Sequence, residues 1–220
     1  MQSVHERLMT EIDAERRRLS RRRLLGGVAM FAGASALAFS VGNFRAVPGF
    51  AQDAAPFADD IEVLNYALTL EHLEFAFYRD GIGLFDFGTD GFGLDVNANM
   101  AAIRDHEGAH VDTLTSVITD LGGTPVAEAQ YNFADAYASL DAFLATSAAV
   151  ENLGVQAYDG AAQFIQNVDL LTAAGSIVAV EARHASYLNL ITGAVPFPSA
   201  VEEPLPPADV LEIAGPFIAN

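Results

Sequence analysis

Residues 97–121 read NANMAAIRDHEGAHVDTLTSVITDL, and this stretch is the clearest indication of the fold. Its apolar residues recur at spacings of three and four, the period of an α-helix with one buried face. Near the middle of that face stand Glu107 and His110, three positions apart and therefore on the same side of the helix. The residues that follow, GGTP at 122–125, end the helix. The stretch predicts an amphipathic helix that points an acid and an imidazole into a core.

Three other stretches have the same period, and each carries an acid in the middle of its apolar face. We predict the first helix over Asp59–Asp80, the third over Leu140–Gln166 and the fourth over Leu170–Thr192. Their central acids are Glu71, Glu151 and Glu181, and His184 follows Glu181 as His110 follows Glu107. Four such helices predict an all-α four-helix bundle.

The connections indicate how the helices are joined. A turn of three residues, 167–169, makes the third and fourth helices antiparallel neighbours. The second and third helices are joined by about fifteen residues, enough for one long crossover along the bundle. The Gly/Phe/Asp-rich segment 81–96 is predicted to be a mobile surface loop. The Pro-rich tail 193–220 is predicted to wrap the surface irregularly, with one short helix near Asp209–Ala214.

Four acids in one core need positive partners, since each buried charge costs several kcal/mol and a whole domain is stable by only about 5–15 kcal/mol. The chain has no lysine, and only three of its arginines follow residue 52. It has no cysteine, which excludes thiolate sites and leaves the carboxylate and imidazole donors that suit iron or manganese. A Glu from each of two helices with Glu-x-x-His from two others is a known two-metal pattern. The predicted ligands are Glu71, Glu107, His110, Glu151, Glu181 and His184. The alternative is a metal-free polar network that shares protons.

Several neighbouring residues leave alternatives open. Glu74 competes with Glu71 as the ligand of the first helix, although it lies off the centre of the apolar face. His72 and His106 are expected either at the surface or in contact with a ligand side chain without binding the metal themselves. Tyr78 and Tyr158 each follow an acid by seven residues, or two helical turns, and each is expected beside that acid. Hydrogen bonding to a carboxylate and plain core packing are both open for these tyrosines.

The first fifty residues predict an export signal. Residues 16–23 read RRRLSRRR, and the apolar run Gly26–Val41 follows, about 16 residues long and short of the roughly 20 that span a membrane. We predict a signal over 1–51, cleaved after Ala51, and a linker over 52–58. An uncleaved membrane anchor is the alternative. Residues 52–220 carry 25 acidic and three basic side chains, which disfavours nucleic acid as a partner.

Four short motifs carry a family resemblance. EHLEFAFY at 71–78, EGAH at 107–110, ENLGVQAY at 151–158 and EARH at 181–184 resemble the ligand-bearing helices of the ferritin-like superfamily, which includes ferritins, rubrerythrins and manganese catalases. The segment 20–25, SRRRLL, resembles a twin-arginine signal, so the chain is most similar to exported ferritin-like proteins, some of them desiccation-related. A Sec signal with paired arginines is the alternative.

The resemblance implies two iron or two manganese ions bridged by Glu107 and Glu181, with Glu71 and Glu151 more terminal. It also implies redox chemistry on oxygen or peroxide in stress defence, with the export machinery as a partner. A homo-oligomer is possible. The alternative is a metal-binding or stress-protective bundle without turnover.

Overall fold

The structure is a computed structural model that describes residues 56–219. Within that range the chain forms five α-helices: α1 (Asp60–Gly81), α2 (Val96–Asp120), α3 (Leu140–Ala162), α4 (Val168–Ile191) and α5 (Pro207–Ala214). The first four make the predicted all-α bundle. None of the helices in residues 56–219 is long and apolar enough to cross a membrane. The predicted signal 1–51 and the first part of the linker 52–58 lie outside the described residues.

Side-chain caps set where the four long helices begin. Asp59 accepts a hydrogen bond from the backbone N–H of Glu62, and Ser139 does the same from Ala142. Asp95 and Asn167 cap α2 and α4 in the same way. Each cap satisfies a backbone donor that the first turn of a helix leaves unpaired. The four starts therefore fall within two residues of the predicted ones.

The third helix ends four residues before the predicted end, and this prediction was wrong. The helical period continues through Phe164 and Ile165, which pack against the core although α3 has ended at Ala162. The backbone N–H groups of Gln166 and Asn167 donate instead to the carboxylate of Asp60 at the start of α1, at 2.7 and 3.0 Å. A contact with another helix thus decides this boundary.

The link between α2 and α3 runs along the whole of α1. Near the start of α1, the side chain of Asn65 bonds the backbone of Thr124 and Val126. Near its end, Tyr137 donates to the backbone oxygen of Phe77 at 2.7 Å. The predicted long crossover is therefore confirmed. It allows α1 and α3 to lie antiparallel, with the end of each beside the start of the other.

The C-terminal tail packs more closely than the predicted surface wrap. Pro207 occupies the first turn of α5, where its missing N–H costs no hydrogen bond, so the helix begins two residues before the predicted start. Val210 and Ala214 of α5 are buried in the main core. The backbone of Leu205 passes close over Gly160 of α3 and donates to the carbonyl of Gln156 at 3.2 Å.

Candidate metal centre

The structure brings all six predicted ligands together in the middle of the bundle. The four acids Glu71, Glu107, Glu151 and Glu181 are each 0 % exposed, and His110 and His184 are 8 % and 5 % exposed. One acid comes from each of the four long helices, and the histidines come from α2 and α4. The helical period places these six side chains on the inward faces of their helices. The packing of the helices brings the six side chains to the same height along the bundle axis.

One half of the centre surrounds His110. Its Nδ1 atom lies 3.2 Å from Glu71 Oε2, 3.1 Å from Glu107 Oε2 and 2.9 Å from Glu181 Oε1. These three carboxylate oxygens come from three different helices. One ring N–H can donate a hydrogen bond to at most one or two of these oxygens. Three carboxylate oxygens therefore surround a nitrogen atom that carries at most one proton.

The other half surrounds His184. Its Nδ1 atom lies 2.9 Å from Glu107 Oε1 and 3.1 Å from Glu151 Oε2. The two oxygens of Glu107 therefore face different histidines. Two groups of four side chains each hold possible ligand atoms within 4.8 Å of one another, and both groups contain Glu107 and Glu181. The sharing of these two acids matches the bridging role that the resemblance implies for them.

The buried carboxylates lack enough donors of their own. At least one buried oxygen of each of the four acids accepts no well-directed hydrogen bond, and Glu181 has two such oxygens, although His110 Nδ1 lies 2.9 Å from one of them. The body's arginines do not supply the missing charge, because Arg79 pairs with Asp80 and Glu128, Arg104 pairs with Asp105 at the surface, and Arg183 is exposed. Unpaired buried acceptors are costly. The site therefore fits a cation, and its oxygen and imidazole donors fit iron or manganese.

Protons balance the charge when no metal is present. Burial raises the pKa of Glu107 to about 7, against hydrogen bonds from both histidines. Burial and the negative charge of Glu151 raise the pKa of Glu181 to about 8. Burial opposes the charge on His110, but its hydrogen bonds to Glu107, Glu181 and Glu71 raise its pKa to about 12. Without a metal, these pKa shifts favour a network in which the carboxylates and imidazoles share protons. A bundle that uses only this network and a bundle that binds metal both stay predictions.

The tyrosines pair across the bundle, not along their own helices as predicted. Tyr158 of α3 donates a hydrogen bond to Glu71 of α1. Tyr78 of α1 faces Glu151 of α3, although its hydroxyl forms no well-directed hydrogen bond. Helical side chains lean toward the N-terminus of their helix. Because α1 and α3 are antiparallel, each acid leans toward the tyrosine of the other helix and away from its own.

Glu74 is a fifth buried carboxyl group, which the sequence placed off the centre of the apolar face as a competitor of Glu71. It is 3 % exposed, while Glu71 keeps the ligand position. Burial, followed by the charges of Glu181 and Glu151, raises its pKa well above the ordinary value. A Cβ atom on Gly154 would come within 2.9 Å of Glu74 Oε1 and 3.4 Å of Glu181 Oε2. The missing side chain of Gly154 in α3 leaves space for the carboxylate of Glu74. The sequence signals for this position were the spacing of three residues from Glu71 and a glycine on the apolar face of α3.

The two remaining histidines of the body have different surroundings. His106 stacks on His184 with ring centroids 5.1 Å apart, and its Nδ1 lies 2.9 Å from His184 Nε2. Burial and the charges of His184 and His110 lower its pKa below the ordinary value. His72 instead contacts the backbone oxygen of Val126 in the crossover. His106 therefore supports a ligand, and His72 supports the fold.

Replacing His106 with alanine is expected to lower metal affinity about 10–100-fold, the usual effect of losing a group that orients a metal-bound imidazole. The matched control is His72→Ala, which removes a histidine of α1 that contacts only the crossover. Calorimetric titration of the chelator-treated proteins with Mn²⁺ measures both. Equal affinities for the His106 variant and the unaltered chain would show that the stacked ring does not orient His184.

The metal-free protein is expected to lose stability as pH rises from about 5 to about 9. Folding raises the pKa of Glu107 from 4.5 to about 7 and that of Glu181 from 4.5 to about 8, chiefly through burial. Burial lowers the pKa of His184, but hydrogen bonds to Glu107 and Glu151 raise it from 6.5 to about 10. The folded state therefore holds protons that the unfolded chain has released. The stability linked to them is complete below the unfolded values and disappears as pH passes the folded ones.

Thermal melting in chelator across this pH range tests the prediction. Mn²⁺ should flatten the decline, because the metal replaces the protons. The Glu181→Gln variant should show a shallower decline than the unaltered chain in chelator. A melting temperature that rises with pH in chelator would contradict the assignment.

Comparison with known proteins agrees with the fold. A family model described as a ferritin-like domain matches residues 59–194, which include all four long helices and the six clustered side chains. No curated protein matches the chain. The buried Glu and His groups could hold metal ions, as the ferritin-like fold allows. Since the model covers more than half of the sequence, this chain belongs to the ferritin-like domain family.

Proposed function

We propose that this chain is an exported protein that holds two iron or two manganese ions and uses them for redox chemistry on oxygen or peroxide in stress defence. The observation that supports it most is the pair of overlapping four-residue groups that share Glu107 and Glu181. Two divalent cations would match the four central carboxylates in charge. The ions would supply the electrons for the reaction, which the carboxylates and imidazoles of the site do not provide.

The protein's own residues would position these ions and limit their surroundings. Glu107 and Glu181 would hold the two ions together, with Glu71 and Glu151 at the two ends. The hydrogen bond from Tyr158 leaves the other oxygen of Glu71 turned toward His110. Fully buried aromatic and aliphatic side chains exclude water from the rest of the core. This rigid, mostly dry surrounding strengthens charge interactions at the centre.

Export is supported by the N-terminal sequence alone. The paired arginines at 21–23 and the apolar run Gly26–Val41 have the order of a twin-arginine signal. Such a signal would carry a folded protein whose metal was acquired in the cytoplasm. Cleavage after Ala51 would then release the acidic bundle outside the cytoplasm.

A non-catalytic role is the second candidate, and the burial of the centre favours it. The four central acids have no exposed surface, and the two histidines have less than a tenth of theirs. A polar substrate reaches the ions only if side chains move. A bundle that keeps iron or manganese bound without turnover would need no such opening.

Metal loading and oxidant consumption together test the proposal. The purified protein is loaded with Fe²⁺ or Mn²⁺ without oxygen, desalted and measured by elemental analysis, and a chelator-treated sample is the control. We expect two ions per chain and consumption of oxygen or peroxide by the loaded sample only. Sub-stoichiometric metal would reject the two-metal centre. Full loading with no consumption beyond that of the control would favour the non-catalytic role.

A further inference from the structure

A small apolar cavity lies between the four long helices, beside the candidate metal centre. Its volume is about 30 Å³, and every long helix contributes to its wall. Its lining includes Leu64, Tyr66, Leu114, Ala161, Ala174 and Ile177. Thr113 and Ala173 also line it and are exposed, so the cavity reaches the surface between α2 and α4.

The polar groups around this cavity cannot hold a water molecule well. The hydroxyl of Tyr158 is engaged by Glu71, and that of Thr113 donates to the backbone oxygen of Ala109 at 2.7 Å. Only the buried hydroxyl of Tyr66 has no partner. A buried water ordinarily makes about two to four hydrogen bonds, and apolar cavities stay dry. The cavity therefore suits an apolar occupant.

Its size limits that occupant to a few atoms. A cavity of about 10–15 Å³ holds one water-sized molecule, and one of about 150 Å³ holds benzene. At about 30 Å³ the cavity is much nearer the lower limit. A molecule of two atoms fits, whereas an aromatic ring or an acyl chain does not.

The position of Tyr158 connects the cavity with the centre. Its ring lines the cavity, while its hydroxyl holds Glu71. An occupant is thus separated from one carboxylate of the centre by a single side chain. Ile177 of α4, one turn before Glu181, lines the same wall.

The geometry points to a binding pocket for dioxygen that supplies the metal centre and makes dioxygen, not hydrogen peroxide, the preferred oxidant. This inference rests on the proposed redox function. Dioxygen is apolar and gives up no strong hydrogen bonds to water when it enters an aliphatic cavity. Hydrogen peroxide would leave its hydrogen bonds to water behind and find one hydroxyl, at a cost of several kcal/mol.

Xenon and a cavity-filling variant test the pocket. Xenon is an apolar atom of similar size, and its anomalous scattering locates it in crystals of the chelator-treated protein without any need for metal. Ala174→Leu fills the cavity from a partly buried position of its wall. Ala179→Leu makes the same change at an exposed position of α4 that does not line the cavity. Thermal melting verifies that both variants fold.

We expect one xenon site per chain in the unaltered protein and in Ala179→Leu, and its loss in Ala174→Leu. After iron loading, oxygen uptake should slow several-fold in Ala174→Leu alone, while oxidation by hydrogen peroxide stays unchanged. Absence of xenon from the unaltered protein, or ordered water in its place, overturns the pocket. Equal oxygen uptake in all three proteins, or an equal loss with both oxidants, overturns the supply role. If the unaltered chain binds no metal, the proposed function and the supply role both fail, and the xenon site alone still decides whether the pocket exists.

Discussion

Replacing Glu107 with alanine is expected to abolish binding of both metal ions. The two carboxylate oxygens of Glu107 lie 3.1 Å and 2.9 Å from the Nδ1 atoms of His110 and His184, so they serve both halves of the centre. Without these two oxygens each half of the centre loses a ligand. The centre also loses one of the four negative charges that attract the two cations. We expect affinity to drop by more than the roughly 100-fold that marks the loss of a mere supporting group.

Elemental analysis after loading and desalting measures this effect. Asp112→Ala is the matched control, since Asp112 is an exposed acid of the same helix. Glu71→Ala separates a shared ligand from a terminal one, because Glu71 belongs to the His110 group only. It should leave one ion bound. Two ions retained in the Glu107 variant would refute the bridged arrangement.

Replacing Gly160 with alanine is expected to destabilise the protein by about 1–3 kcal/mol, the usual cost of overpacking. A Cβ atom at this position would lie 1.9 Å from the backbone oxygen of Leu205. That oxygen belongs to the segment leading into α5, so the tail must move off α3. The movement would also pull Val210 and Ala214 out of the core.

Urea unfolding and limited proteolysis of the tail measure the consequence. Gly175→Ala is the control, because no atom lies within 4 Å of its new methyl group. It should stabilise helix α4 by about 0.5–1 kcal/mol, the ordinary gain over glycine. An unchanged free energy of unfolding in the Gly160 variant would mean that the tail contributes nothing to the fold.

Local chemistry explains why most of the fold was predictable. The starts of the helices depend on caps such as Asp59 and Ser139, whose partners are three residues away. The end of α3 depends on Asp60, more than a hundred residues away, and there the helical period predicted four residues too many. Periodicity records which residues are buried, and Ile165 packs against the core without being helical.

In the candidate site, too, some residues could be predicted from spacing along one helix, whereas the contacts of others depend on how the helices pack. The four acids and two histidines stand on helical faces that the spacing alone defines, and the structure places them together. His106 lies one position from Glu107, and Glu74 lies off the centre of its apolar face, so their proximity to His184 and Glu181 depends on how each helix is rotated. That rotation is a property of the packed bundle. Metal binding by the six side chains stays a prediction until it is measured.

By itself the sequence determined four amphipathic helices, the acid at the centre of each buried face and the histidines beside two of them, because helical period and capping act within a few residues. Only the tertiary structure decided that Tyr158 holds Glu71, that Gly154 makes room for Glu74 and that Gly160 receives the tail. Each of these depends on the direction, rotation and separation of neighbouring helices. Those quantities are set by packing between residues far apart in the chain, which the spacing along one helix does not encode.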